Sequence, residues 1–318
     1  MTRLLTTFRK KSILSGKLPS KIFNLIHLTH LDISAWNIKF LPLEIDRLYN
    51  LESLHIDCNF LSVLPETIGN LEHLNILHLY NNRLQQLPDS ICNLTSLHTL
   101  ILHHNNLSEL PEDIHLLKNL KRLDIEHNIL TTLPSSFSQL SQLKYLLLGH
   151  NNFTQFPTNV CSLSNLQNLT LNNNNIYKLP NTISNIKKLS RLELEYNSIT
   201  QLPENFNLLN NLIVLLLNHN LLTELPDTFG DFPQLDTLLL NNNKLTHLPM
   251  CFCKLQKLRI LHLDHNGLFQ LPKTIDTLTN LKQFTFSYNY LQSLPIKIQN
   301  LKYIPINKLE EEMNSQYL

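Results

Sequence analysis

The sequence predicts an α/β repeat solenoid: a curved stack of short parallel strands, closed on its outer side by short helical turns. Three observations carry this. The first is a 23-residue self-similarity, in which LHIDCNFLSVLP (54–65) aligns with LHLYNNRLQQLP (77–88) and LILHHNNLSELP (100–111). The second is an asparagine at the ninth position of eleven units, from Asn59 to Asn289, with Trp36 in the first. The third is a proline at the fifteenth position of all twelve, from Pro42 to Pro295. A fixed period of this length is the mark of a repeat array, in which no unit buries its apolar face alone and stacking makes the core continuous.

Each unit reads LxxLxLxxNxLxxLPxxIxxLxx. The LxL alternation has period two, which makes it a strand with its leucines inward. About twelve such strands are expected side by side on a concave face. The ninth-position asparagine ends the strand and turns inward, which is tolerable only if its amide bonds neighbouring backbone groups. Proline fixes φ where the chain enters the convex side and suits the first position of a helical turn. The apolar positions after it, as in PETIGNLEHL (65–74), suggest short 3₁₀ or α turns. The array divides the chain into an N-terminal cap with a degenerate half-repeat (1–27), twelve repeats (28–303) and a polar C-terminal cap (304–318).

Composition narrows the function classes. The net charge is +1 over 318 residues, so no global field favours nucleic acid or an acidic membrane. Only five glycines are present, and neither GxGxxG nor GxxxxGK[ST] occurs, which argues against a phosphate-cradling loop. Five cysteines without a zinc or disulfide spacing point to a reducing compartment. The basic N-terminus lacks the apolar run of a signal peptide, and no stretch is long enough to span a membrane. No cofactor is implied, and a cytoplasmic monomer is the expectation.

Candidate function lies at positions three, five and seven, which project from the concave strands, and at position eight. LHHNNL (102–107) shows how the register sorts neighbours: Leu102 and Leu107 are core, Asn105 is ladder, and His103 and His104 are surface. His104, His127 and His150 share position eight on three consecutive strands, beside His103 and Glu126. This column reads as a polar, partly stacked surface. The alternatives are a metal site and a partner contact tuned by pH, since histidine titrates near neutrality. Neither HExxH nor any similar metal spacing supports the metal reading.

A second region is apolar. Leu216 and Leu239 at position five, with Val214 and Ile260 at position three, are ringed by Arg191, Glu193, Glu195, Tyr196, His262 and Asp264. Tyr145 and Leu147 add a smaller patch. Exposed apolar surface rimmed by charge and tyrosine predicts a protein-binding face. Aspartate at 216 and 239 is then expected to spare folding and abolish binding. RLDIEH (122–127) and RLELEY (191–196) read as solvated salt bridges rather than catalytic carboxylate pairs, so no enzymatic activity is expected.

The LxxLxLxxNxLxxLPxxIxx unit resembles the 23-residue leucine-rich repeats of intracellular proteins such as Shoc-2, Erbin and the plant Ras-group proteins. That resemblance implies a horseshoe whose concave face binds a protein, often in small-GTPase signalling, with no catalytic site of its own. The asparagine-, isoleucine- and lysine-rich composition and the C-terminal LEEEMNSQYL are similar to type IV (Dot/Icm) effectors of Legionella-type intracellular bacteria. Glu310, Glu311 and Glu312 match their translocation signal. This second resemblance implies an effector secreted into the host cytosol, where it engages a host protein. A eukaryotic-type cytosolic scaffold is the alternative.

Overall fold

A computed structural model describes residues 2–292, with side chains described from residue 8 onward. The expected C-terminal cap and Glu310–Glu312 lie outside the described residues. The chain divides into two compact units: Met1–Ile176 with Asn185–Leu189, and Tyr177–Ser184 with the described residues from Ser190 on.

The first unit opens with an α-helix, α1 (Thr2–Ser15). Seven three-residue parallel strands follow: β1 (His30–Asp32), β2 (Ser53–His55), β3 (Ile76–His78), β4 (Thr99–Ile101), β5 (Arg122–Asp124), β6 (Tyr145–Leu147) and β7 (Asn168–Thr170). The second unit holds β8 (Arg191–Glu193), β9 (Val214–Leu216), β10 (Thr237–Leu239), β11 (Ile260–His262) and β12 (Gln283–Thr285). Pairing runs in chain order at the repeat period, as in Ser53↔Ile76 and Val214↔Thr237. Strands this short pair stably only because each is flanked by another of identical shape. The parallel-strand solenoid predicted from the repeat is thus the observed fold.

Most return segments between strands carry a 3₁₀ turn, such as Leu43–Arg47 and Ser135–Gln139. The proline placement differs from the expectation by one residue. Pro42, Pro65 and Pro88 stand before their 3₁₀ turns, with ψ of 155, 150 and 149°. Their carbonyls accept the first turn bond, as in Ile45 N–H to Pro42 O at 3.2 Å. Proline thus serves through its carbonyl and extended ψ, and the first helical residue is left free to vary.

The core lies between strands and turns. Leu54, Ile56, Leu61, Ile68, Leu71 and Leu74 of one unit are fully buried, and the same positions recur in the units that follow. Each such leucine contributes roughly 1.5–3 kcal/mol by leaving water. In the second unit, phenylalanines reinforce the turn layer: Phe229 meets Phe232 edge-on at 5.2 Å and stacks on Phe252 at 6.1 Å.

The asparagine ladder is satisfied through backbone groups. Asn151 accepts the Leu130 N–H at 3.0 Å and donates to the carbonyls of Ile125, Leu148 and Gly149 at 2.9, 3.1 and 3.2 Å. Asn128 and Asn243 repeat the pattern. Trp36, where the ladder begins, is buried, and its N–H is taken by Asn59 Oδ1 at 3.0 Å. All five cysteines are free thiols. Among the described residues, no helix is long and apolar enough to cross a membrane.

Candidate functional site

Position eight has a backbone property that the sequence reading missed. All twelve of its residues, from Ala35 to Tyr288, have φ between 51 and 56°. This left-handed conformation lets the next residue, the ladder asparagine, turn inward. Asparagine and histidine enter that region far more readily than most side chains. Five histidines (104, 127, 150, 219 and 265) and three asparagines (81, 173 and 242) occupy it. Local backbone preference therefore accounts for much of the histidine column before any ligand is invoked.

In the first unit the column is a stack. His104 lies on His127 at 4.0 Å and His127 on His150 at 3.8 Å, with rings within 14° of parallel. Asn173 Nδ2 meets His150 Nε2 at 3.2 Å. His103 is held separately, stacked on Tyr80 at 4.6 Å, with Nδ1 3.2 Å from Asp124 Oδ2. Glu126 accepts the Thr170 hydroxyl at 2.7 Å. It passes over Gly149, where a Cβ would come within 2.8 Å of its Oε1. The structure thus unites His104, His127 and His150, with His103 edge-on to His104 at 5.5 Å. Tyr145 is exposed and Leu147 half-buried on β6.

Burial pushes the His127 imidazole down to about 4, and the neighbouring His150 and His104 push the same way. His150 is lowered for the same reasons, burial first. Between pH 6.5 and about 4 the unfolded chain takes up protons that the folded stack refuses. The stack's contribution is therefore complete above pH 6.5 and is lost as pH falls toward 4. Thermal melts at pH 7.5 and pH 5 should show a smaller acid-induced drop for His127→Asn than for the wild type. Equal drops would show that the stack plays no part.

Position seven forms a second ladder that the sequence reading also missed. In the second unit, Asn218 Oδ1 accepts the Asn241 N–H at 2.9 Å, and Asn241 Oδ1 accepts that of Asp264 at 2.8 Å. Asp264 Oδ1 accepts that of Ser287 at 2.6 Å. In the first unit, Asp57 Oδ1 accepts the Tyr80 N–H at 3.1 Å. Its signal is an Asp or Asn two residues before the ladder asparagine.

The second-unit patch is corrected by these packing details. Leu216 and Leu239 are 2% and 8% exposed, so they form a closed floor rather than an exposed apolar face. Parallel strands lie ~4.8 Å apart, and side chains of similar length then cover one another laterally. His262 and Asp264, each 3% exposed, are buried as well, and Asp264 is also bonded by the Thr285 hydroxyl. Val214 and Ile260 are half-buried. What remains reachable centres on β8. Arg191 Nε meets Glu193 Oε1 at 2.5 Å, and Tyr196 is exposed and stacks on His219 at 4.1 Å. Between them, burial lifts the Glu195 carboxyl to about 7, helped by Glu193, and its Oε2 has no partner.

The strand face also carries His55, Asp57 and His78, none of which was singled out from the sequence. Burial lifts Asp57 to about 6, while its bond from the Tyr80 N–H pulls the other way. Burial and the neighbouring His55 lower His78 to about 4. The sequence signal was present: LHID (54–57) and LHLY (77–80) set histidine at position five of adjacent strands.

A family model described as leucine rich repeat matches residues 49–107, 95–153, 188–245 and 210–268. No curated protein matches the sequence significantly. Among solved structures, a leucine-rich-repeat protein of Leptospira interrogans is 36% identical with a TM-score of 0.86, over 89% of this chain and 73% of that one. The functional domain of InlJ from Listeria monocytogenes is 27% identical with a TM-score of 0.74, over 85% of this chain and 56% of that one. A chain from an octameric complex of latrophilin 3, Unc5D and FLRT2 (LRR) is 26% identical with a TM-score of 0.72, over 88% of both chains. The 23-residue period, the asparagine ladder, the matched family model and the Leptospira relative agree: the chain belongs to the leucine-rich repeat family.

Proposed function

We propose that the protein is a non-enzymatic binding module that holds a protein partner against its strand face, as a bacterial effector engaging a host protein. The observation that carries this is the contrast between scaffold and face. Ladder and core positions repeat from unit to unit, whereas position five reads Asp32, His55, His78, Ile101, Asp124, Leu147 and Thr170 along the first unit alone. The repeat fixes the first set, whereas position five varies in size and charge even where it is buried, as at Ile101, Asp124 and Thr170, and that variation supports a face matched to a partner. In the second unit the reachable handles are Arg191, Glu193 and Tyr196, an ion pair beside an aromatic ring, over the closed floor of Leu216 and Leu239. Tyrosine and arginine are the residues that most often anchor protein interfaces.

Two details favour binding over catalysis. Asp124 is engaged by His103 and by Arg122, whose guanidinium lies 3.7 Å away. Glu126 is engaged by Thr170. Both carboxylates are tied into side-chain contacts of the strand face. The FLRT2 complex, in which a related array sits among protein partners, supports the same reading, as do relatives from Leptospira and Listeria for a bacterial source. The cytosolic small-GTPase scaffold remains the second reading, supported by the form of the repeat.

Affinity capture from host lysate with the immobilised chain tests the proposal. The wild type should retain a defined protein that the Arg191→Ala/Tyr196→Ala double variant loses, with both giving the same circular dichroism spectrum. A captured set unchanged by this variant and by Tyr145→Ala would overturn it. Delivery into host cells with and without residues 309–318 separates effector from scaffold.

A further inference from the structure

We propose that His55, Asp57 and His78 form a binding site for one divalent metal ion of the zinc class. The argument starts from strand geometry. His55 and His78 close β2 and β3 and are Cα partners across the parallel pair. They therefore project side by side from one face. Asp57 lies two residues beyond His55 and returns to that face. One ligand atom from each residue lies within 4.8 Å of the other two, the one such trio of His, Cys, Asp or Glu donors among the described residues.

The donors are held in place. Asp57 is 3% exposed. Its Oδ1 is fixed by the Tyr80 N–H at 3.1 Å and its Oδ2 by the Ser34 hydroxyl at 3.4 Å. Oδ2 lies 3.9 Å from His78 Nδ1. The Ser53 hydroxyl lies 2.9 Å from His55 Nε2 and steadies that ring, as outer-shell partners of metal-ligating histidines do. The two imidazoles are tilted 39° with centroids 4.2 Å apart.

Tetrahedral zinc at about 2.0–2.1 Å from each donor sets its ligands roughly 3.3 Å apart. Small side-chain rotations close the difference while the backbone stays fixed. Two imidazoles and one carboxylate suit a zinc-class dication and leave one tetrahedral position for water. The position-eight stack is the instructive contrast. A ring nitrogen's lone pair lies in the ring plane, so imidazoles stacked nearly parallel, like His104, His127 and His150, do not converge on one point. The tilted pair with a carboxylate beside it does.

The test uses the full chain, stripped with a chelator, kept reduced and titrated with zinc chloride by calorimetry, with bound metal counted by elemental analysis. One equivalent should bind and raise the Tm, because an ion that binds only the folded state stabilises it. His78→Gln and Asp57→Asn should each weaken zinc at least about 10-fold, as loss of supporting groups alone can do. His127→Ala and Cys58→Ser should bind as the wild type does. Asp57→Asn keeps the ladder acceptor, as Asn218 and Asn241 show at the same position, so its metal-free melt should match the wild type. Failure to bind one equivalent, wild-type affinity in the first pair of variants, or loss in the second pair overturns the proposal.

Discussion

Replacing Asn151 with alanine is expected to destabilise the protein by roughly 3–5 kcal/mol, and replacing its neighbour Asn152 by less than about 0.5. The two residues differ only in register. Asn151 is 5% exposed and makes four bonds to backbone groups, whereas the side chain of Asn152 faces solvent. Alanine at 151 strands the Leu130 N–H and weakens three carbonyl contacts inside the core. Each hydrogen bond is worth about 0.5–1.5 kcal/mol net, and an orphaned buried donor costs about 1–3. In a thermal melt the Asn151→Ala protein should lose roughly 5–15 °C. Indistinguishable melts for the two variants would remove the ladder from the account of stability.

Leu216→Asp is the second large effect, and it reverses what the sequence alone predicts. At 2% exposure Leu216 belongs to the packed floor of the second unit. Aspartate there forfeits about 1.5–3 kcal/mol of leucine burial and places a carboxylate where water is scarce. It also stands directly across the strand pair from Glu193. A loss of roughly 3–5 kcal/mol is expected, read as a lowered urea midpoint or insoluble expression. Tyr145→Asp, at a 38% exposed site on the first unit's face, should cost under about 1 kcal/mol. A stable Leu216→Asp protein would restore the exposed-patch reading.

The repeat made the scaffold legible. Leu54, Ile56 and Leu61 are core because stacking buries them, and Asn59 is a ladder residue because strand ends leave backbone groups to satisfy. Both demands recur every 23 residues and so leave a pattern in the sequence. Lateral cover on the strand face leaves none. Whether Leu239 is reachable depends on its neighbours 23 residues away on either side, and alternation within β10 does not report them. The histidine column reads from the sequence as a polar, partly stacked surface, and its rings do stack. Three like residues on adjacent strands look like a binding motif, yet position eight is a left-handed backbone site that admits histidine readily. The His55–Asp57–His78 trio was less conspicuous, because its members occupy two different repeat positions and converge only across β2 and β3.

The reach of the ladder bonds has an evolutionary consequence. Asn82, Asn105, Asn128 and Asn151 each accept an N–H from a residue 21 positions back and donate to a carbonyl 26 positions back. Every ladder rung is therefore addressed by distance along the chain and not by the identity of its neighbour. Duplication or loss of a whole cassette leaves each asparagine facing an equivalent set of partners, while a slip of one residue breaks every rung it crosses. The scaffold is indifferent to such copying errors, but the pairs on its face, His55 with His78 and Glu126 with Thr170, are not. Gene-level shuffling of cassettes can thus rewrite recognition in one event while the architecture carries on unchanged.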